Sequence, residues 1–183
     1  MCRAVDVDRV RLADTEGNTV RRGEAGELML RGPNLFVGYW LGPGRIDDAR
    51  KDGWWPTGDV MRQDEAGDFW YVARKKNLII RGGSNISPTE IEHALTVHRG
   101  VREAAIVGVR DAVLGQRVIG FVELTETATQ VEDVLRDLST RVANYKMPER
   151  LIVVDQLPRN SLGKLDRAKL EAIGERLDDW RAA

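Results

Sequence analysis

The sequence predicts an α+β fold: a β-rich segment over residues 1–74, then a small C-terminal α+β domain over residues 75–183, a three-stranded sheet with helices. Three observations predict it. Short alternating apolar and polar runs, separated by turn residues, occupy the chain up to Arg74. Helix-start signals and amphipathic stripes appear only after Ser87. Interleaved with those helices are short apolar runs of strand character, Ala104–Val109, Val118–Leu124 and Leu151–Asp155.

In chain order, Val10–Leu12 and Glu27–Arg31 alternate as half-buried strands do, with the turn signal Gly17-Asn18 between them. The stretch 32–44 carries four glycines and two prolines around Phe36, Tyr39 and Trp40, and reads as a loop that packs by its aromatics. Asp68–Arg74 is rich in aromatic residues and follows the turn-like Glu65-Ala66-Gly67, so it reads as a strand. The character changes near Lys75–Asn77. Ser87-Pro88-Thr89-Glu90 combines a serine cap, a proline at the first helical position and a glutamate three residues after the cap, and Ile91, Leu95 and His98 follow at helical spacing. Thr129 to Glu132 repeats the capping-box spacing ahead of the stripe Val131, Val134, Leu135, Leu138 and Val142. Leu170, Ile173, Leu177 and Trp180 mark one face of a last helix.

Composition narrows the function classes. The 183 residues suffice for one domain or two small ones, and 42% hydrophobic with 31% charged residues is ordinary for a folded globular chain. With 28 basic against 29 acidic residues, the net charge of −1 gives no global pull toward nucleic acid or an anionic membrane. Cys2 is the one cysteine, which excludes an internal disulfide and a thiolate metal cluster. His93 and His98 are too few for a histidine-rich metal site, and both read as structural; carboxylates remain able to hold Mg2+. No apolar run reaches the length that spans a bilayer, and the N-terminus lacks the apolar core of a signal peptide. A reduced cytoplasm is the expected compartment.

Several residues could carry chemistry. Asp59, after Thr57-Gly58, can accept hydrogen bonds from the two hydroxyls of a ribose, or simply close a turn. Arg74 heads the run Arg74-Lys75-Lys76, whose planar fork suits a ribose hydroxyl or phosphate oxygen but whose bland reading is a solvated charge cluster. Gly82-Gly83 ahead of Ser84 either forms a turn or lets backbone approach a ligand. Lys164 follows Gly163 in a loop; lysines there are usually just solvated, yet a mobile ammonium can neutralise charge in a transition state. Lys146, beside the helix breaker Pro148, reads equally as a helix-end cation or a phosphate contact.

Two segments together identify a resemblance. They are Thr57-Gly58-Asp59 continuing through Arg74-Lys75-Lys76-Asn77…Arg81-Gly82-Gly83-Ser84…Glu90-Ile91-Glu92, and Leu157-Pro158-Arg159-Asn160-Ser161-Leu162-Gly163-Lys164-Leu165-Asp166-Arg167. From about Val10 to Leu170 the chain resembles the C-terminal portion of the AMP-forming, adenylate-making ligases, which include acyl-CoA synthetases and peptide-synthetase adenylation domains. The resemblance implies that residues 1–74 belong to the N-terminal domain of the ligase fold and residues 75–183 to its mobile C-terminal domain. It implies an acid–thiol ligase reaction, in which a carboxylic acid such as a fatty acid, ATP and coenzyme A yield acyl-CoA, AMP and pyrophosphate. Asp59 and Arg74 would then be nucleotide-binding, Lys164 catalytic, and Lys76 the hinge. Gly82, Gly83 and Ser84 would line the coenzyme A path.

The chain has no Gly-x-x-x-x-Gly-Lys-Ser/Thr loop, and the family's own phosphate loop, Mg2+ site and acyl pocket are not among its residues. Local departures from the pattern are Leu41-Gly42-Pro43-Gly44, Asn77 and Arg99. Because part of an active site cannot position reactants, the expectation is that the chain is inactive alone and works with the missing N-terminal part. Two alternatives stand beside that reading. One is a non-catalytic remnant or docking module that complements a separately encoded N-terminal half. The other is a piece of a peptide-synthetase adenylation domain, for which the sequence shows no carrier domain after Lys164.

Overall fold

A computed structural model describes residues 9–125 and 129–178, so that Trp180 and the segment 1–8 lie outside the described residues. The chain divides into two compact units, Met1–Lys76 and Asn77–Ala183. The fold is α+β, as the sequence predicts.

The first unit is built on a four-stranded antiparallel sheet. Its strands are β1 (Arg9–Ala13), β2 (Ala25–Arg31), β5 (Trp55–Gln63) and β6 (Phe69–Arg74), in that spatial order. Leu12, Met61 and Phe69 form its core, with Val10, Val20 and Leu28 packed against them. The stretch expected to be a loop contains a small hairpin, β3 (Tyr39–Gly42) with β4 (Arg45–Asp47). Phe36 and Tyr39 do pack by their rings, both against Trp55. Trp55 is thereby buried, whereas Trp40, at 74% exposed, faces solvent.

The second unit centres on two long antiparallel strands, β9 (Val101–Asp111) and β10 (Gly115–Leu124), with β11 (Arg150–Val153) parallel to β10. These are the three strands read from the sequence. The hairpin β7 (Ile79–Arg81) and β8 (Ser84–Ile86) joins them through a pairing of Arg81 with Gly115, which extends the sheet to five strands. Helices α1 (Pro88–Thr96) and α2 (Val131–Ser139) cover one face, and α3 (Arg167–Asp178) covers the other.

Strand alternation sorts the apolar run of β9 and β10 between these two layers. Ala104, Ile106, Val118 and Val122 point toward Ile91 and Leu95 of α1 and Val134 and Leu138 of α2. Ala105, Val107, Val109, Ile119 and Phe121 point toward Leu170 of α3. A sheet buried on both faces explains why these strands read as continuous apolar runs and not as alternating ones.

The helix starts differ from one another. Ser87 caps α1 as expected, its hydroxyl accepting from the Glu90 N–H at 3.4 Å. The capping box expected at Thr129 is not formed; α2 starts one residue later, with Gln130 at the cap position and no capping bond from its side chain. Val142 falls beyond the end of α2 but is still buried in the same core. On α3, Leu170 is fully buried, while Leu177 is more exposed than a core stripe requires.

Candidate functional site

Thr57-Gly58-Asp59 forms an irregularity in β5. Val60 pairs with Glu27 and Pro56 with Met29, so three residues of β5 stand opposite Leu28 alone. The side chains around this bulge stabilise it. Thr57 Oγ1 donates to the Leu28 carbonyl at 2.9 Å and accepts from the Asp59 N–H at 3.1 Å. Glu27 Oε1 accepts from the Gly58 N–H at 3.1 Å, and its Oε2 accepts from Lys75 Nζ at 2.6 Å. Gly58 adopts φ +76°, a conformation that a side chain would disfavour.

The bulge places Asp59 directly across from Arg74 of β6. Arg74 Nη1 donates to Asp59 Oδ1, and that bond raises the arginine's already high pKa further. Both side chains are partly exposed, at 43% for Arg74 and 32% for Asp59. The structure therefore brings together two of the residues singled out from the sequence, a carboxylate acceptor and a guanidinium donor. Glu27 was not singled out. It lies 31 residues before Gly58 in sequence and within an ordinary strand, so nothing local marked it.

Lys76 is exposed, sits in a single 3-10 turn spanning Lys75–Asn77, and is the last residue of the first unit. In the second unit, Gly82 and Gly83 form the two-residue turn of the β7–β8 hairpin, with φ +53° and +80°. The Gly82 N–H donates to the Leu114 carbonyl at 2.8 Å, tying this turn to the one between β9 and β10. Ser84 is exposed at the start of β8. Lys146 is engaged elsewhere: its Nζ donates to both oxygens of Glu90, at 2.7 and 2.8 Å. Lys146 is a cation in the last turn of the 3-10 helix Asn144–Lys146, in keeping with the structural reading of that residue. His98 Nδ1 accepts from the Gly100 N–H at 3.1 Å, closing the turn after α1.

Lys164 stands at the end of a tight hairpin loop. The Asn160 N–H donates to the Lys164 carbonyl at 2.8 Å and the Asp166 N–H to the Pro158 carbonyl at 2.8 Å. Asn160 Oδ1 accepts from the N–H groups of Leu162, at 3.0 Å, and Lys164, at 3.1 Å. Gly163, with φ +76°, makes the reversal possible. Asp166 then caps α3 by accepting from the Lys169 N–H at 3.1 Å. Lys164 itself is exposed, and no carboxylate among the described residues pairs with its ammonium. Among the described residues, no three His, Cys, Asp or Glu side chains cluster as a metal site would require.

This fold is similar to that of solved adenylate-forming ligases over most of the chain. Residues 90–164 match the AMP-binding enzyme C-terminal domain family. Two curated relatives illustrate the likeness. The long-chain-fatty-acid–CoA ligase of Yersinia pestis is 40% identical over 161 residues, a match covering 88% of this chain and 29% of that protein. Triostin synthetase I of Streptomyces triostinicus is 40% identical over 172 residues, covering 91% and 32% respectively. Among solved structures, ATP-bound MatB from Rhodopseudomonas palustris aligns with a TM-score of 0.83 at 35% identity, over 96% of this chain and 35% of that one. The chain spans about a third of the length of the relatives it matches.

Proposed function

We propose that this chain supplies the C-terminal share of an ATP-dependent, AMP-forming acyl-CoA ligase and that it needs the N-terminal part of the ligase fold to act. The observation that supports this best is the cross-strand pair of Asp59 and Arg74 beside the Gly58 bulge. A ribose offers two vicinal hydroxyls. Asp59 retains acceptor capacity for them, since only its Oδ1 is engaged by Arg74, and the guanidinium holds further donors for a hydroxyl or phosphate oxygen. ATP, when bound, supplies the electrophilic α-phosphorus at which the acid is activated.

The other residues take their roles from the same reading. Lys164 brings an ammonium that has no carboxylate partner among the described residues to the negative charge that gathers as a carboxylate meets the α-phosphate, an electrostatic role that moves no proton. Lys76 is the pivot at the unit boundary, one of the few positions that absorb a change in backbone dihedrals. Gly82 and Gly83, with no side chains, leave open backbone for the pantetheine arm of coenzyme A to pass, with Ser84 beside it. The substrates would be a small-molecule carboxylic acid, ATP with Mg2+, and coenzyme A.

The second reading is a carrier protein as acceptor in place of coenzyme A, for a chain that is also 40% identical to triostin synthetase I. One experiment tests both. The chain is exchanged for the matching third of R. palustris MatB, and acyl transfer is measured with coenzyme A and with a carrier protein. Thioester formed with coenzyme A supports the ligase reading. Acyl-AMP that passes only to the carrier supports the second. A folded hybrid that makes no acyl-AMP contradicts both.

A further inference from the structure

The hairpin that carries Lys164 is held to the sheet by two acidic residues that face each other. Glu103 of β9 and Glu123 of β10 are directly paired across the strands, an arrangement that repels unless cations or donors compensate it. Each carboxylate is compensated by a different part of the hairpin segment. Glu123, nearly buried, accepts from the Leu157 N–H at 2.6 Å and from Arg102 Nε at 2.8 Å. Glu103 accepts from Arg159 Nη2 through both oxygens, at 2.7 Å each.

Arg159 then does a second thing. Its other terminal nitrogen, Nη1, donates to the Gly163 carbonyl at 2.9 Å, the peptide group that leads directly into Lys164. One planar guanidinium thus ties the strand to the residue preceding Lys164, across the width of the hairpin. The far foot of the hairpin is held independently: Arg167 donates to the Ile106 carbonyl at 2.7 Å and to Glu92 at 3.0 Å.

We infer that Arg159, oriented by Glu103, is the positioning residue for Lys164, fixing the backbone from which its ammonium is presented. The inference rests on the catalytic reading of Lys164 given above for its functional meaning. A lysine at position 159 would keep the charge but not the two-pronged reach, because a single ammonium cannot hold a fixed fork between carboxylate and carbonyl. Arg159 and Glu103 are 41% and 32% exposed, so their ion pair adds little to global stability and its loss is felt locally.

The test is amide hydrogen exchange on the 183-residue protein, residue by residue, for the parent, Arg159→Ala, Arg159→Lys and Glu103→Gln. The amides of Asn160 and Lys164, both bonded within the hairpin, should exchange about tenfold faster or more in both Arg159 variants. A smaller rise is expected in Glu103→Gln, while the Ile106 and Val107 amides and the unfolding midpoint stay at the parent values. The Lys164 side chain, followed through its isotope-labelled ε-methylene group, should show a narrower resonance in the Arg159 variants; Lys164→Arg identifies that signal. Hairpin amides that exchange at the parent rate, or amides that accelerate uniformly across the second unit, would overturn the inference. The readout needs no turnover, so a failure of the ligase reading leaves it intact, and a failure here leaves the ligase reading standing.

Discussion

Gly58 shows how much of the candidate nucleotide site depends on single positions. Its φ of +76° allows the bulge that sets Asp59 opposite Arg74, and a Cβ there would stand 3.7 Å from the Arg74 guanidinium. Gly58→Ala should therefore cost about 1–2 kcal/mol from the left-handed backbone alone, measurable as a lowered midpoint of chemical unfolding for the first unit. Lys164→Ala should leave stability unchanged, because its ammonium has no partner among the described residues, and should lower acyl-AMP formation in the MatB hybrid by about 10²–10³-fold. Asp59, Arg74, Gly82, Gly83, Ser84 and Lys164 stand out in the sequence as candidates, because each sits in a short motif whose spacing is local. Glu27, Glu103 and Arg159's bond to Gly163 were not legible. Their contacts join residues 31 and 56 apart, or depend on a side-chain direction that only the hairpin defines.

At the scale of elements, α3 lies so close to the sheet that Gly174 touches it. A Cβ added there would come within 2.7 Å of Val109 Cγ2, a side chain that is itself buried. Glycine to alanine within a helix normally gains about 1 kcal/mol. Here overpacking of about 1–3 kcal/mol opposes that gain, so Gly174→Ala should destabilise the second unit, seen as a lower unfolding midpoint by helix circular dichroism. Removing Phe121, fully buried under α3, should cost about 3–5 kcal/mol as Phe121→Ala.

The turn between β9 and β10 adds a pH dependence. Asp111 accepts from the Leu114 and Val113 N–H groups at 2.8 and 2.9 Å, and these bonds lower its carboxyl pKa, with the Arg117 and Arg81 charges adding to the effect. A depressed carboxyl stabilises the fold fully above its unfolded value, near pH 4, and the contribution is lost as pH falls through the lower folded value. Acid titration should open this turn below about pH 4, read from the Val113 and Leu114 amide resonances. Asp111→Asn should remove that titration.

The same scale shows where local signals mislead. The cap of α1 was plain because serine, proline and glutamate occupy the right positions together. The box at Thr129 had the right spacing without the proline, and the helix starts a residue later. Strand β5 is hidden in the sequence because Trp-Pro-Thr-Gly-Asp resembles a turn; its pairing with β2 and β6 on either side overrides that local preference. The β3–β4 hairpin was hidden by the same glycines and prolines that suggested a loop.

For the molecule as a whole, the fold and the likeness to adenylate-forming ligases are legible because the motifs of both units follow in order along one chain. The relatives are about three times as long, so under the proposed reading the larger share of the chemistry lies outside these residues. The purified chain should make no acyl-CoA from acid, ATP and coenzyme A, because positioning by a complete site supplies much of the rate in such reactions. Thioester formed by the chain alone, and abolished by Lys164→Ala, would show that the missing part is not needed. The most direct measurement is ATP–pyrophosphate exchange by the MatB hybrid carrying this chain, compared with the same hybrid bearing Lys164→Ala. The account predicts acid-dependent exchange in the first and its loss in the second, with both equally folded. Equal exchange in the two hybrids would contradict the assignment of Lys164, and with it the claim that this chain contributes catalysis to an adenylate-forming ligase.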